Sequence, residues 1–151
     1  IPVGRLLEPR MTGLTKRRRS FGSIIVVVGT DAPLLSQQLN RIAKRAALGV
    51  GREGSFAAHG SGEIVVAFST ANVVPRESTS RHVELRVLLD SALDPLYQAT
   101  VEATEEAILN ALCASGGQRG RDGHEAPPLP VDVVAELVAE YGRTRRDLER
   151  R

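Results

Sequence analysis

Gly22-Ser23-Ile24-Ile25-Val26-Val27-Val28-Gly29 is the stretch on which the reading of this chain turns. From Ser23 to Gly29 it is a short apolar run dominated by β-branched residues, which predicts a strand buried on both faces. A basic, loop-like segment precedes it (Lys16, Arg17, Arg18, Arg19, Ser20, Phe21). A helix start follows in Thr30-Asp31-Ala32-Pro33, with Asp31 as the cap and Pro33 in the first turn, where a missing N–H costs nothing. The helix is expected to run to about Leu48 with an apolar stripe of Leu35, Leu39, Ile42 and Ala46, and to stop at Gly49.

Further along, the glycines Gly51, Gly54, Gly60 and Gly62 mark a turn region. Glu63–Ser69 reads as a second strand, with Ile64, Val66 and Phe68 on one face. His82–Leu89 alternates more cleanly and predicts a third, with Val83, Leu85, Val87 and Leu89 buried. A longer helix is expected from Leu93 to Ala114, capped by Asp90-Ser91, with a stripe of Leu96, Thr100, Ala103, Ala107, Ala111 and Leu112. Gly120–Pro130 reads as a loop, Val131–Tyr141 as a final helix, and the charged tail from Gly142 as frayed. Strands and helices come in blocks, which favours a layered α+β fold over a doubly wound parallel sheet.

The bulk properties narrow the function. The 151 residues suffice for one domain with a core. No apolar run approaches the roughly 20 residues of a membrane span, so no membrane partner is expected. Aromatic residues are 3% and Trp is absent, which leaves few stacking platforms for nucleic acid. The net charge is +2, with basic residues concentrated near both ends, whereas a nucleic-acid binder would more often show a basic face with groove-reading residues. Cys113 is the single cysteine; it is expected to be a small core residue. His59, His82 and His124 are far apart and lack metal-ligand spacing. No metal and no cofactor is expected.

Two clusters carry chemistry. If the Gly22–Ser23 bond is cut, Ser23 gains a free α-amine beside its own hydroxyl, so one residue holds a nucleophile and a base. The second cluster is Gly60-Ser61-Gly62-Glu63, just before a strand. If the extended geometry reaches back to Ser61, Ser61 and Glu63 project from one face, about 7 Å apart along it.

With these clusters and several further motifs in order, the chain resembles the P1-type peptidases (peptidase family S58), which include the DmpA-type L-aminopeptidase/D-esterases and the β-peptidyl aminopeptidases. The matching stretches are Gly22–Val28, Thr30–Leu35, Gly60–Glu63, Ala67–Asn72, Leu93–Leu96, Ala103–Ile108 with Asn110–Leu112, and Gly120–His124. The resemblance covers roughly residues 20–142.

The resemblance implies a self-processing serine aminopeptidase. Its precursor cleaves itself at Gly22–Ser23 into an α-chain and a β-chain that stay together. Ser23 is then the nucleophile, and Ser61 and Glu63 the supporting hydroxyl and carboxylate. Residues 1–22 would be the end of the α-chain with the cleavage linker, and residues 23–151 the β-chain. The implied fold is a layered αββα sandwich of the DmpA/ornithine-acetyltransferase type, this chain being its C-terminal part. Implied partners are the α-chain of the same precursor, a small peptide or aminoacyl amide substrate, and further copies in a homo-oligomer. The family's oxyanion-hole asparagine looks to be an α-chain residue, so this chain alone is expected to be inactive. Cellular location is not fixed, with cytoplasmic favoured over periplasmic.

Two competing readings remain. An ornithine-acetyltransferase-like acyltransferase shares the self-processing logic but expects a threonine nucleophile, against which Ser23 and the Gly60–Glu63 cluster argue. A non-catalytic binding module could use the Arg17–Arg19 run, which also reads as a solvated loop before the cut.

Overall fold

The apolar run pairs with the second strand directly. β1 (Ile24–Thr30) and β2 (Glu63–Ser69) form a parallel ladder, in register from Ile24↔Glu63 to Thr30↔Ser69. Parallel strands cannot be joined by a tight hairpin, and here the crossover runs through helix α1 (Ser36–Arg52). The computed structural model describes Leu7, Arg10 and residues 22–141. Most of the stretch before Gly22, and the tail from Gly142, therefore lie outside the described residues. By internal contacts the chain divides into two compact units, residues 19–108 and residues 1–18 with 109–151.

In the first unit, Leu34, Ile42 and Leu93 are buried at the centre. Val28, Ala32, Leu39, Ala67, Leu88, Leu96 and Tyr97 pack against them. Among the described residues, only one face of the sheet is covered. Ile25 and Val27 are 71% and 64% exposed, and Ile64, Val66 and Phe68 are exposed beside them. The expectation that β1 is buried on both faces is thus corrected. A continuous apolar run shows that both faces tolerate burial; it does not supply the layer that buries the second.

Helix α1 starts later than the sequence suggests. Its cap is Leu35, in extended conformation, and not Asp31. The carbonyl of Pro33 accepts from the Leu88 N–H at 2.8 Å, which withdraws it from a helical ladder. The start is held by Gln38, a buried residue whose Oε1 accepts from the Leu35 N–H at 2.9 Å. Its Nε2 donates to the Leu88 carbonyl at 2.9 Å and to Asp90 Oδ1 at 2.7 Å. A buried polar side chain is tolerated when its groups are partnered in this way.

The helix also continues past Gly49 to Arg52. Gly49 is a contact point: a Cβ there would sit 2.7 Å from the Val101 carbonyl oxygen and 2.8 Å from Thr104 Cβ. The neighbouring helix α2 (Asp94–Ala114) therefore approaches α1 at backbone distance. On α2 the buried residues are Thr100 and Thr104, each donating its hydroxyl to the carbonyl four residues back at 2.7 Å. Ala103, Ala107 and Ala111 of the expected stripe are exposed, as is Cys113. Small side chains are chosen at this seam for their size, which a hydropathy stripe does not register. Asp90–Ala92 forms a 3₁₀ turn ahead of α2.

The segment His82–Leu89 is extended but joins no ladder, and Val83, Leu85, Val87 and Leu89 are exposed. Both polar groups of the Arg86 backbone are taken by one side chain. Asn72 Nδ2 donates to the Arg86 carbonyl at 2.9 Å, and Arg86 N–H donates to Asn72 Oδ1 at 3.0 Å. Alternation describes a strand's two faces and says nothing of a neighbour with which to pair.

The second unit contains a short antiparallel pair, β3 (Gln118–Arg119) with β4 (Glu125–Ala126), across the turn Arg121–Gly123. β4 lies inside the stretch Gly120–Pro130 read as loop, and β3 just ahead of it. Helix α3 (Val131–Tyr141) has the expected bounds and buries Leu137.

Candidate active site

Because β1 and β2 are parallel and start in register, their N-terminal ends adjoin. Ile24 pairs with Glu63, so the residues just before each strand are neighbours. This brings Gly22 and Ser23 to Ser61 and Gly62 across 39 positions of sequence. No other part of the sheet could do so, since the offset follows from the register.

The contacts are specific. The Gly62 N–H donates to Ser23 Oγ at 3.1 Å. Ser61 Oγ lies within hydrogen-bond distance of two acceptors, the Gly22 carbonyl oxygen at 2.8 Å and Glu63 Oε1 at 2.5 Å. Ser61 lies ahead of β2, with its N–H donating to the Ala58 carbonyl at 2.7 Å. That turn folds the Gly60 region back and delivers the hydroxyl to Glu63. Ser61 and Glu63 are half-buried, while Gly22 and Ser23 are exposed.

A serine hydroxyl carries one proton. Ser61 can give it fully to the Gly22 carbonyl or to the Glu63 carboxylate, but not to both. Donation to Gly22 polarises the carbonyl that Ser23 Oγ would attack. The Gly22–Ser23 peptide thus has a hydroxyl, a hydrogen-bonding group at its carbonyl and a carboxylate behind that group within one short cluster.

All four residues singled out by sequence, Gly22, Ser23, Ser61 and Glu63, are brought together. Two features escaped that reading. One is the Gly62 backbone N–H, whose direction depends on the turn before β2. The other is the donor at the Gly22 carbonyl: sequence places Ser61 beside Glu63, but only the strand register places it over Gly22. The φ of Gly22 is not in the left-handed region and a Cβ there would meet nothing within 4 Å. Neither backbone strain nor crowding requires a glycine at this step.

Among the described residues, two carboxyls outside this cluster have a displaced pKa. Asp90 is held below the ordinary carboxylate range, first by the hydrogen bond from Gln38 and then by Arg41. Glu53 is raised, chiefly by burial and secondarily by Glu105. Among the described residues no three His, Cys, Asp or Glu side chains converge to hold a metal ion. No described helix is long and apolar enough to cross a membrane.

Two curated relatives are similar to this chain. The β-peptidyl aminopeptidase BapA of Sphingosinicella microcystinivorans is 42% identical over 81% of this chain and 31% of its own length. That of Sphingosinicella xenopeptidilytica is 42% identical over 77% of this chain and 29% of its own. The chain therefore spans about a third of the curated relatives it matches.

Among solved structures, the L-aminopeptidase D-Ala-esterase/amidase of Ochrobactrum anthropi superimposes with a TM-score of 0.81 at 34% identity, over 95% of this chain and 39% of that one. It is described as a prototype for the serine aminopeptidases and a new variant among the Ntn hydrolase fold. The PH0078 protein of Pyrococcus horikoshii OT3 matches with a TM-score of 0.71 at 46% identity, over 76% of this chain and 32% of that one. A Burkholderia sp. β-aminopeptidase matches with a TM-score of 0.69 at 33% identity, over 78% and 35%. The α+β expectation is met, and the fold is that of the DmpA-type Ntn-hydrolase variant. The model of peptidase family S58 matches residues 1–126, and this chain, with its paired Gly22-Ser23 and Ser61-Gly62-Glu63 strand entries, is a member of that family.

Proposed function

We propose that this chain carries the self-cleavage site and nucleophile of a serine aminopeptidase. The observation that supports the reading best is the cluster at the paired strand entries, with Ser23 Oγ on Gly62 N–H and the Gly22 carbonyl on the Ser61 hydroxyl.

In the first reaction Ser23 Oγ attacks the Gly22 carbonyl carbon. The C–N bond breaks, the Ser23 nitrogen takes up the proton given up by the hydroxyl, and an ester links Gly22 to Ser23 Oγ. Water hydrolyses that ester, leaving a carboxylate on Gly22 and a free amine on Ser23. Ser61 supplies a hydrogen bond to the oxygen that gains negative charge. A donor of this kind is worth about 10²–10³ in rate where it has been removed in other hydrolases.

In the second reaction the Ser23 amine is the base. Its unperturbed pKa of about 7.7–8.0 leaves a useful neutral fraction near neutrality. It takes the Ser23 hydroxyl proton as Oγ attacks the carbonyl of an aminoacyl amide, ester or peptide, and the leaving amine receives a proton. Water then releases the acyl group from Ser23. With Gly22 gone, Ser61 and Glu63 are free to hold the new amine and relay its proton.

Residues 1–22 then belong to the α-chain and residues 23–151 to the β-chain. The α-chain of the same precursor is the proposed partner: the open apolar face of β1 and β2, formed by Ile25, Val27, Ile64, Val66 and Phe68, suits a second sheet of an αββα sandwich. The relatives, of whose length the matched part is about a third, have the length for one.

The test is intact mass and N-terminal sequencing of the full-length protein beside a Ser23→Ala variant. A fragment beginning Ser-Ile-Ile-Val in the parent and absent from the variant, with aminoacyl amide hydrolysis in the parent alone, is the expected result. A folded, uncut and inert parent refutes the reading.

A further inference from the structure

Residues 82–89 carry the alternation of a strand yet pair with no strand among the described residues. Their backbone is nevertheless satisfied along one edge. In an extended chain the N–H and C=O groups of successive residues point to opposite edges. On the even-numbered side, Ser80 Oγ accepts from the His82 N–H at 3.1 Å and donates to the His82 carbonyl at 2.9 Å. The Asn72 amide takes both groups of Arg86. The Leu88 N–H donates to the Pro33 carbonyl, and the Leu88 carbonyl accepts from Gln38 Nε2.

On the odd-numbered side, Val83, Leu85 and Val87 make no backbone hydrogen bond among the described residues. The segment is finished along one edge and open along the other. The side chains divide in the same way. Leu88 packs against the core, while Val83, Leu85, Val87 and Leu89 are exposed. An apolar strand with a free edge is a template for pairing, and natural proteins cover or block such edges.

The charges on this segment select the occupant. Val83-Glu84-Leu85-Arg86-Val87 complements itself when two copies run antiparallel about Leu85. Val83 then meets a second copy's Val87, Leu85 meets Leu85, and Glu84 meets Arg86 at two symmetry-related places. The backbone parity agrees. Val83, Leu85 and Val87 hold the free groups, so they form the hydrogen-bonded pairs. Glu84 and Arg86 then fall at the non-hydrogen-bonded positions, where facing side chains come closest. Registers of the same parity on either side fail, since one sets Glu84 against itself and the other Arg86 against itself. Among the described residues neither Glu84 nor Arg86 has an ion-pair partner.

We propose that residues 83–87 pair with the same residues of a second copy of this chain, as an antiparallel two-stranded ladder across a two-fold axis. The contact is isologous, each copy offering the same edge, and main-chain bonds hold it while the Glu84–Arg86 pairs fix its register. It is separate from the open face of β1 and β2 and does not rest on the aminopeptidase reading of Ser23.

The experiment uses the full-length protein, its Glu84→Arg and Arg86→Glu variants, and the variant carrying both changes. Molar mass is read by sedimentation equilibrium over a micromolar concentration series. Each single change opposes like charges at both symmetry-related places and is expected to weaken this association step by about 100-fold, seen as a halved mass. Exchanging both residues restores opposite charges across the axis and should bring the parent mass back, which a misfolded variant would not do. Single variants that keep the parent mass overturn the proposal and leave the edge to another segment of the precursor. Single variants that dissociate, with no recovery in the double exchange, overturn the antiparallel pairing about Leu85. A parent that is monomeric throughout the series overturns it as well.

Discussion

The Ser61 hydroxyl lies 2.8 Å from the carbonyl oxygen of Gly22, a residue 39 positions earlier in the chain. This pairing joins the two chemistry-bearing clusters, and under the proposed self-cleavage it gives Ser61 a task at the Gly22 carbonyl that ends when that bond is cut. Removing the hydroxyl should therefore be felt first in processing. For Ser61→Ala, the rate of appearance of the fragment starting at Ser23 is expected to fall by about 10²-fold or more, measured by intact mass over time. Cleavage at the parent rate would remove Ser61 from the oxyanion role.

Glu63 sits 2.5 Å behind Ser61, and the two reactions ask different things of it. In Glu63→Gln an amide N–H can donate to Ser61 Oγ, which leaves the Ser61 proton for Gly22. Processing is expected to persist within about tenfold. Turnover should fall by about 10²-fold, the usual scale of a proton-handling group, since an amide cannot hold the Ser23 ammonium by charge. The comparison needs a processing time course and steady-state kinetics on the processed variant, with kcat reduced more than KM is changed. Parallel losses in both reactions would contradict this division.

Gly22 has open space at its Cβ position and ordinary backbone geometry. Gly22→Ala is therefore expected to process within about threefold of the parent rate, because an added methyl group in open space changes little. Loss of processing in a folded variant would show that the glycine is required for a conformation on the reaction path.

Gly49 is the opposite case. With a Cβ 2.7 Å from the Val101 carbonyl oxygen and 2.8 Å from Thr104 Cβ, Gly49→Ala must push α1 and α2 apart. Overpacking of this kind costs about 1–3 kcal/mol, to be read as a lower urea midpoint with little change in slope. The gain in helix propensity from alanine, about 1 kcal/mol, is expected to offset only part of it.

Asp90 gives the fold an acid-side dependence. Its folded pKa is lowered, first by the Gln38 hydrogen bond and then by Arg41. A depressed carboxyl contributes stability above its unfolded value of about 3.9 and loses it as pH falls through the folded pKa. Asp90→Asn should therefore show a shallower fall in stability below pH 4 than the parent, measured by urea denaturation across pH. Identical acid limbs would mean that the Gln38–Asp90 tie does not persist in solution.

How much of this was legible beforehand differs residue by residue. Ser69 ends the second strand and Val131 opens the last helix as expected, because β-branched alternation and a helical apolar period are local signals. Ser61 and Glu63 were legible as a pair for the same reason, being two positions apart. The edges that failed were decided by distant partners. Asp31 loses the cap because Leu88 takes the Pro33 carbonyl, and Gly49 stays helical because α2 presses on it. The extended segment at Val83–Leu89 has the right alternation but pairs through the single side chain of Asn72.

By itself, then, the sequence determined the identity of the candidate groups and the local conformations that carry them: a serine behind the step proposed for cleavage, a hydroxyl and a carboxylate before a strand, and the elements on either side. The tertiary structure decided which groups meet. A parallel register that starts with Ile24 opposite Glu63 is set by crossover length and by the packing of α1 on one sheet face. The first can be counted along the chain but the second cannot, and it is that register that sets the Ser61 hydroxyl beside the Gly22 carbonyl and the Gly62 amide on the Ser23 oxygen.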